Sequence, residues 1–191
     1  MVVTPPTTSR PNTAGFYMAT PASEYAELVR KHLPTLKHVA VVASRHLLNI
    51  LADDVSAPVS AHSVKNSVEF VTKVNQLDTV DAILLLPDSG VLTSTAMEEA
   101  YLFSFRRRIP LLGVSERHVK EGALLALVVD MVHVGRVIGE YATSALKSGS
   151  VGQPPPLPPS KFELYLNMDT ARKMRISIPD ELVRMARKVY P

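Results

Sequence analysis

Polar side chains stand directly after three apolar segments that are expected to form strands. Ser44 follows the first segment, Asp88 and Ser89 follow the second, and Ser115 and Glu116 follow the third. Their hydroxyl and carboxylate oxygens suit a small ligand that carries a cation or hydrogen-bond donors. A turn around Asp88 and a helix cap at Ser115 would explain either group alone. Their common placement after strands favours a binding site.

Signatures of catalysis and of metal binding are missing from the sequence. It contains no Gly-x-Ser-x-Gly elbow, no Gly-x4-Gly-Lys-Ser/Thr phosphate loop, no His-Glu-x-x-His pair and no Gly-x-Gly-x-x-Gly motif. The six histidines never fall at metal-ligand spacing, and cysteine is absent. We therefore predict no catalytic residue, no metal site and no cofactor, so that the protein is not an enzyme.

A phosphorylation receiver, or another cytosolic α/β ligand-sensing or regulatory domain, is the alternative. In a receiver, an Asp at a strand end accepts phosphate and a later hydroxyl responds to it, as Asp88 and Ser115 could. Such a domain also needs an acidic pair after its first strand to hold magnesium. Here Ala43, Ser44 and Arg45 occupy that place. The sequence thus lacks half of a receiver site.

The segments that position these residues alternate between strand and helix patterns. Short apolar runs at 38–43, 81–87 and 109–114 are typical of strands that are buried on both faces. Helix patterns lie between them, one opened by the capping-box sequence from Thr95 to Glu98. This order predicts an α/β fold with a doubly wound parallel sheet over residues 36–118. Loops after its strands then share one edge, where ligands bind in open α/β sheets.

The C-terminal part contains a break and then further elements. Residues 152–159 are rich in proline and predict an extended connector. After it, 162–166 alternates as a strand that we expect to return to the sheet, and Asp169 can cap a short helix. A final helix is predicted from Pro179, with acidic residues at its start and Arg187 and Lys188 towards its end.

Composition places the chain among ordinary globular proteins. Hydrophobic residues make up 46% and charged residues 20% of 191 residues, and the formal net charge is +3. The one basic cluster, at 106–108, ends a predicted helix, where cations compensate the helix dipole. A solvated helix end is therefore favoured over a phosphate site, and no nucleic-acid partner is predicted. The N-terminus shows no signal-peptide pattern, which leaves localisation open.

Several motifs resemble one family closely enough to name it. In the C-terminal two thirds, they are residues 80–88, 108–113, 119–124, 129–135, 163–167 and 176–179. Upstream, residues 12–15 and 33–41 resemble the point where such proteins leave their first lobe and begin their second. The sequence is similar to ABC-transporter substrate-binding proteins related to amino-acid-binding lipoproteins. The resemblance implies the type I periplasmic-binding-protein fold, in which two α/β lobes grip a ligand in the cleft between them.

The resemblance also implies a division of the chain into one lobe and part of another. Residues 1–19 would be an extended leading or crossing segment, and 20–130 the α/β ligand-binding lobe. Residues 131–160 would be a helix and connector of the partial other lobe, most of which is missing from this sequence. Residues 161–191 would return to the main lobe. By position, Asp88, Ser89, Ser115 and Glu116 are the implied ligand contacts, together with Asp130 at the second crossing.

Three kinds of partner follow from this resemblance and from the helix pattern. The family implies a small-molecule ligand such as an amino acid, an ABC permease, and a periplasmic or other extracytoplasmic location. Residues 131–146 form a helix that is apolar around most of its circumference, and its usual cover would be the missing lobe. We therefore predict a two-fold homodimer through this helix.

Overall fold

The computed structural model describes residues 19–52, 59–151 and 162–191. The predicted Pro-rich connector and all but the last residue of the predicted leading segment lie outside these residues. The elements along the described chain are α1 (Ala22–His32), β1 (Val39–Ala43), α2 (Arg45–Leu51), β2 (Val59–Ser63), α3 (Ser67–Val74), β3 (Ala82–Leu85), α4 (Ser94–Arg107), β4 (Leu111–Gly113), α5 (Glu116–Glu121), β5 (Leu125–Val129), α6 (Met131–Ser148), β6 (Phe162–Asn167), α7 (Met168–Met174), α8 (Asp180–Met185) and β7 (Lys188–Tyr190).

The strands form one seven-stranded sheet in the order β2-β1-β3-β4-β5-β6-β7. Strands β1 to β5 pair in parallel, with Val39 opposite Ala82 and Ile83 opposite Leu111. Strand β6 pairs antiparallel with β5, and β7 is parallel to β6. The structure therefore confirms the doubly wound parallel sheet and the return of residues 162–166 to it.

Helices cover both faces of the sheet, which is why the central strands are apolar at every position. In β1, Val39, Val41 and Ala43 pack in a core with residues of α1, α2, α7 and α8. Ala40 and Val42 point the other way and pack with residues of α3 and α4. Burying a side chain of Val or Leu size contributes roughly 1.5–3 kcal/mol, so strands shared by two cores anchor the lobe.

Two predicted helix caps are wrong by two residues. Helix α4 is capped by Thr93, whose Oγ1 accepts a hydrogen bond from Ala96 N at 3.3 Å, and not by Thr95. Helix α7 is capped by Asn167, whose Oδ1 accepts from Thr170 N at 2.8 Å, while Asp169 lies in the first turn. Several good capping residues stand close together at both places, and the end of the preceding segment decides which one is used.

The predicted final helix is too long. Helix α8 ends at Met185, because Ala186 has an extended backbone with φ −69° and ψ 131°. Arg187 N then donates to Leu164 O at 2.8 Å, and Lys188 becomes the first residue of β7. The free edge of β6 captures this segment through backbone hydrogen bonds that no local sequence pattern announces.

Helix α6 has little of the described protein against it. Of its residues, Val134 alone is buried, whereas Met131 is 57%, Val132 84% and Leu146 85% exposed. Its charged residues interrupt the apolar run, and within the described ranges we find no helix that is both long enough and apolar enough to span a membrane. The helix begins at the residue predicted for it.

Candidate functional site

Four of the predicted site residues follow the carboxyl ends of neighbouring parallel strands. Ser44 follows β1, Asp88 comes after β3, Ser115 after β4, and Asp130 directly follows β5. These strands are adjacent in the order β1-β3-β4-β5 and run in the same direction. The structure thus brings the loops that carry these residues to one edge of the sheet.

Ser44 and Asp88 are joined by a hydrogen bond across two loops. Asp88 Oδ2 accepts from the backbone N–H of Ser44 at 2.9 Å. The other oxygen, Oδ1, accepts no hydrogen bond from the parts of the chain that the structure describes, and the Ser44 side chain makes no capping bond to α2. One carboxylate oxygen and one hydroxyl therefore retain their capacity to bind a ligand.

These two residues also flank the topological switch point of the sheet. From β1 the chain passes to β2 on one side, whereas β3 lies on the other side of β1. Loops diverge at such a point and leave a crevice beyond the carboxyl ends of the strands. Ser89 lies beside Asp88 in an exposed turn, which Val91 N and Leu92 N close by donating to Asp88 O at 3.1 and 2.7 Å.

Ser115 caps α5, and His118 makes hydrogen bonds with Ser115 and with Val114. Ser115 Oγ accepts from His118 N at 3.2 Å, so its hydroxyl proton can still be donated to a ligand. His118 Nδ1 in turn accepts from Val114 N at 3.3 Å. A β-carbon on Gly113 would lie 2.6 Å from His118 Cβ, so glycine is required for this close approach. Burial lowers the pKa of His118, which favours the neutral ring that can accept this bond.

The structure gives Glu116 a different set of partners. Its carboxylate accepts hydrogen bonds from Tyr190 and from Lys188 Nζ at 3.2 Å, and it pairs with Lys120 Nζ at 3.4 Å. The hydrogen bond from Tyr190, followed by that from Lys188, lowers the pKa of Glu116 to about 2. Glu116 thus ties α5 to β7, and its carboxylate is not brought to Asp88 or Ser44.

Asp130 connects β5 to α6 and caps that helix. Its Oδ1 accepts from Val132 N and from His133 N, both at 3.0 Å. A carboxylate at a helix N-terminus also compensates the positive end of the helix dipole. Asp130 therefore fixes the direction in which α6 leaves the sheet, at the same edge as Ser44 and Asp88.

A buried tyrosine, Tyr25, joins β4 and β5 at this edge through its hydroxyl. Tyr25 OH donates to Gly113 O at 2.6 Å and accepts from Leu127 N at 3.1 Å. The hydroxyl therefore sits between β4 and β5 just beyond their last paired residues, Gly113 and Ala126. Thr20 Oγ1 adds a bond to Leu127 O at 2.9 Å. A tyrosine among apolar residues usually finds a hydrogen-bond partner when it is buried. This was the one signal in the sequence that could have pointed to a structural role for Tyr25.

The described polar groups of this edge are not arranged as a set of metal ligands. In residues 19–52, 59–151 and 162–191, no group of three or more His, Asp or Glu side chains could hold a metal ion. Hydroxyls, carboxylates and backbone groups at the ends of strands are instead the components of a site that binds a small molecule by hydrogen bonds.

Comparison with known protein families shows which family the chain belongs to. The model of a family described as ABC transporter substrate binding protein matches residues 6–190. The chain belongs to this family. Membership leaves the receiver alternative without support, and the family is one of binding proteins rather than enzymes. No curated protein matches the chain.

Solved structures of similar fold agree with the family. A conserved domain protein from Vibrio cholerae is 20% identical, with a TM-score of 0.68 over 92% of this chain and 62% of its own. An ABC domain from Streptococcus pneumonia in complex with L-Trp is 20% identical, with a TM-score of 0.69 over 92% and 64%. A ligand-free, open substrate-binding protein with adhesive properties from Clostridium difficile is 18% identical, with a TM-score of 0.65 over 93% and 62%. The chain thus spans less than two thirds of each of these relatives.

Proposed function

We propose that this member of the substrate-binding family binds an amino acid at the carboxyl edge of β1, β3, β4 and β5, and delivers it to an ABC permease. The observation that carries the proposal is the hydrogen bond between Ser44 and Asp88 at the switch point of the sheet. The similar domain in complex with L-Trp supports an amino acid as the ligand class. In this role the protein performs no catalysis.

The two ends of an amino acid would find different partners at this edge. Its ammonium group would bind Asp88 Oδ1, which forms the stronger, charge-assisted kind of hydrogen bond. Its carboxylate would accept hydrogen bonds from the hydroxyls of Ser44 and Ser115. Ser89 and Asp130 would line the rim, and Glu116 would hold α5 in place through β7.

The rest of the cleft would come from the other lobe of the family fold. We assign residues 20–130 and 161–191 to the ligand-binding lobe, and 131–160 to the partial other lobe, as the family resemblance implies. One lobe buries only part of a ligand, so this chain alone should bind weakly. Family membership further favours an extracytoplasmic location.

The exposed helix α6 supports self-association of this chain. Its apolar stripe consists of Met131, Val134, Ile138, Tyr141 and Ala145, and only Val134 is buried. Contact with a second copy would cover this stripe, and a two-fold dimer is the commonest closed assembly. A β-carbon added to Gly135 or Gly139 would meet no described atom within 4 Å, so a partner backbone can approach closely there.

Calorimetry with a panel of amino acids, including L-tryptophan, tests the ligand class and the part played by Asp88. In the Asp88→Asn variant, the amide oxygen can still accept from Ser44 N, but the charge opposite the ammonium group is gone. We expect affinity to fall by about tenfold or more. Asp169→Asn removes a charge from α7 and should leave affinity unchanged. Equal affinities of the wild type and Asp88→Asn, or no amino acid binding to either, would contradict the proposal.

A further inference from the structure

A second groove lies at the opposite edge of the sheet from the proposed amino-acid site. It has a volume of about 530 Å³ and is formed by segments that precede β1, β3 and β4 and by the segment that follows α7. Arg107, Arg108 and Arg175 line it, together with Asp78 and Asp81. Nothing in the proposed function uses this groove.

Two of these arginines have an unusual backbone conformation. Arg108 has φ 58° and Arg175 has φ 60°, and within the described ranges they are the only residues other than glycine with positive φ. Both end a helix in the left-handed region, α4 at Arg108 and α7 at Arg175. Glycine is the usual residue at such a position because a β-carbon is disfavoured there.

Arg108 and Arg175 are not explained by the helix ends alone. A cation in the last turn compensates a helix dipole, but Arg106, Arg107, Arg172 and Lys173 already do so inside the two helices. Placing a further arginine at the strained position adds a cationic residue to the lining of the groove at a conformational cost. Backbone strain of this kind, held at two places that share one groove, is typical of functional sites.

The guanidinium groups of this groove have no carboxylate partner among the described residues. None of the ion pairs in that part of the chain involves Arg107, Arg108 or Arg175. Asp81, which also lines the groove, uses Oδ2 to accept from the backbone N–H groups of Lys37 and His38, both at 2.8 Å. The groove is therefore lined by three arginines that form no ion pair with a carboxylate of the described residues.

The sequence alone favours a solvated helix end at 106–108 over a phosphate site. From the groove that the structure shows, we propose instead that Arg107, Arg108 and Arg175 bind a phosphate group there. The guanidinium fork matches the spacing of phosphate oxygens and donates two parallel hydrogen bonds to them. The hydroxyls of Thr35 and Ser177, which also line the groove, can donate to remaining phosphate oxygens. The phosphate can belong to a free anion or to a lipid headgroup, and separate probes distinguish these sources.

The variant Arg108→Gly/Arg175→Gly separates binding from folding. Glycine relieves the positive-φ strain, so the double variant should unfold at the same temperature as the wild type or higher. In the wild type, titration with inorganic phosphate should shift the Nε–Hε NMR resonances of these arginines in a saturable way. The double variant should bind phosphate about tenfold more weakly or worse. Arg172→Ala removes an exposed arginine of α7 that does not line the groove, and should have no effect.

Vesicles identify the source of the phosphate. Sedimentation with phosphatidylglycerol vesicles but not with phosphatidylcholine vesicles, lost in the double glycine variant, would assign a lipid headgroup. Saturable binding of inorganic phosphate without vesicle binding would assign a free anion. The proposal is overturned if neither probe binds the wild type saturably, or if Arg172→Ala weakens binding as much as the double variant does.

Discussion

Single residues at the carboxyl edge make a structural hydrogen bond and keep a further hydrogen-bonding position. Asp88 accepts a hydrogen bond from the loop of Ser44 with one carboxylate oxygen, and its other oxygen can still accept one. Ser115 caps α5 as an acceptor and can still donate its proton. The turn at Asp88 and the cap at Ser115, which were alternatives to a binding site on sequence grounds, are both present. They do not compete with binding, because each side chain has more than one hydrogen-bonding position.

His118 should make the stability of this edge depend on pH. Burial lowers its pKa below the usual 6.5, Arg117 acts in the same direction, and Glu121 opposes them. Below pH 6.5 the unfolded chain therefore binds more protons than the folded chain. The contribution of His118 to the free energy of unfolding should be complete above that pH and decrease as pH falls towards the folded-state pKa.

Denaturant unfolding of the wild type and His118→Asn at a series of pH values measures this contribution. Asparagine can still accept from Val114 N through its side-chain oxygen, but it does not titrate. The difference in unfolding free energy between the two proteins should be constant above pH 6.5 and shift in favour of the variant below it. Parallel curves across this range would show that His118 does not hold the loop as a neutral acceptor.

At the scale of elements, α6 carries four of the nine large hydrophobic side chains that are exposed in the described part of the chain. Replacing Ile138, which is 37% exposed, by lysine should disrupt a dimer formed through this helix. Each buried side chain of this size contributes roughly 1.5–3 kcal/mol, and a two-fold interface loses two of them. We expect dimer dissociation to become at least about a hundredfold more favourable, as measured by light scattering over a concentration series.

Glu140→Gln is the matched control for this helix. It raises the net charge by one, as Ile138→Lys does, but it alters a polar residue of α6 that does not belong to the apolar stripe. The control should remain a dimer at concentrations where Ile138→Lys is a monomer. A wild-type protein that scatters only as a 20.9 kDa monomer at micromolar concentration would contradict self-association through α6.

Elements with strong local patterns could be predicted from the sequence, and those decided by tertiary contact could not. The continuous apolar runs of β1, β3 and β4 are typical of strands that are buried on both faces. Strand β7 has no such pattern and exists because β6 offers an unpaired edge. In α3, Val68 is 73% exposed while Phe70 and Val74 face the core, and the spacing of the valines alone does not reveal this orientation.

The candidate site shows the same division. The family resemblance added Asp130, and the alternation of strands and helices was sufficient to place Ser44, Asp88 and Ser115 on one edge. It was not sufficient to direct Glu116, whose carboxylate is turned towards Lys188 and Tyr190 by a strand that the sequence did not reveal. Nor could it show that Tyr25 bonds Gly113 and Leu127, which are distant in sequence.

On the scale of the whole molecule, the sheet separates two kinds of chemistry. The carboxyl edge carries hydroxyls and carboxylates at the switch point, as expected for a lobe of a binding protein. The opposite edge carries the arginine-lined groove. In a parallel sheet, the loops that follow the strands lie at one edge and the loops that precede them lie at the opposite edge. One fold can therefore position both sites without contact between them.

Mapping of backbone NMR shifts during titration with amino acids tests the central claim most directly. We predict that at least one amino acid produces saturable shifts, and that the largest lie at Ser44, Asp88, Ser115 and Asp130. The NMR signals of residues at the opposite edge, such as Asp81 and Arg175, should not shift. Binding at the carboxyl edge would be contradicted if no amino acid gave saturable shifts, or if the shifts were concentrated at the opposite edge.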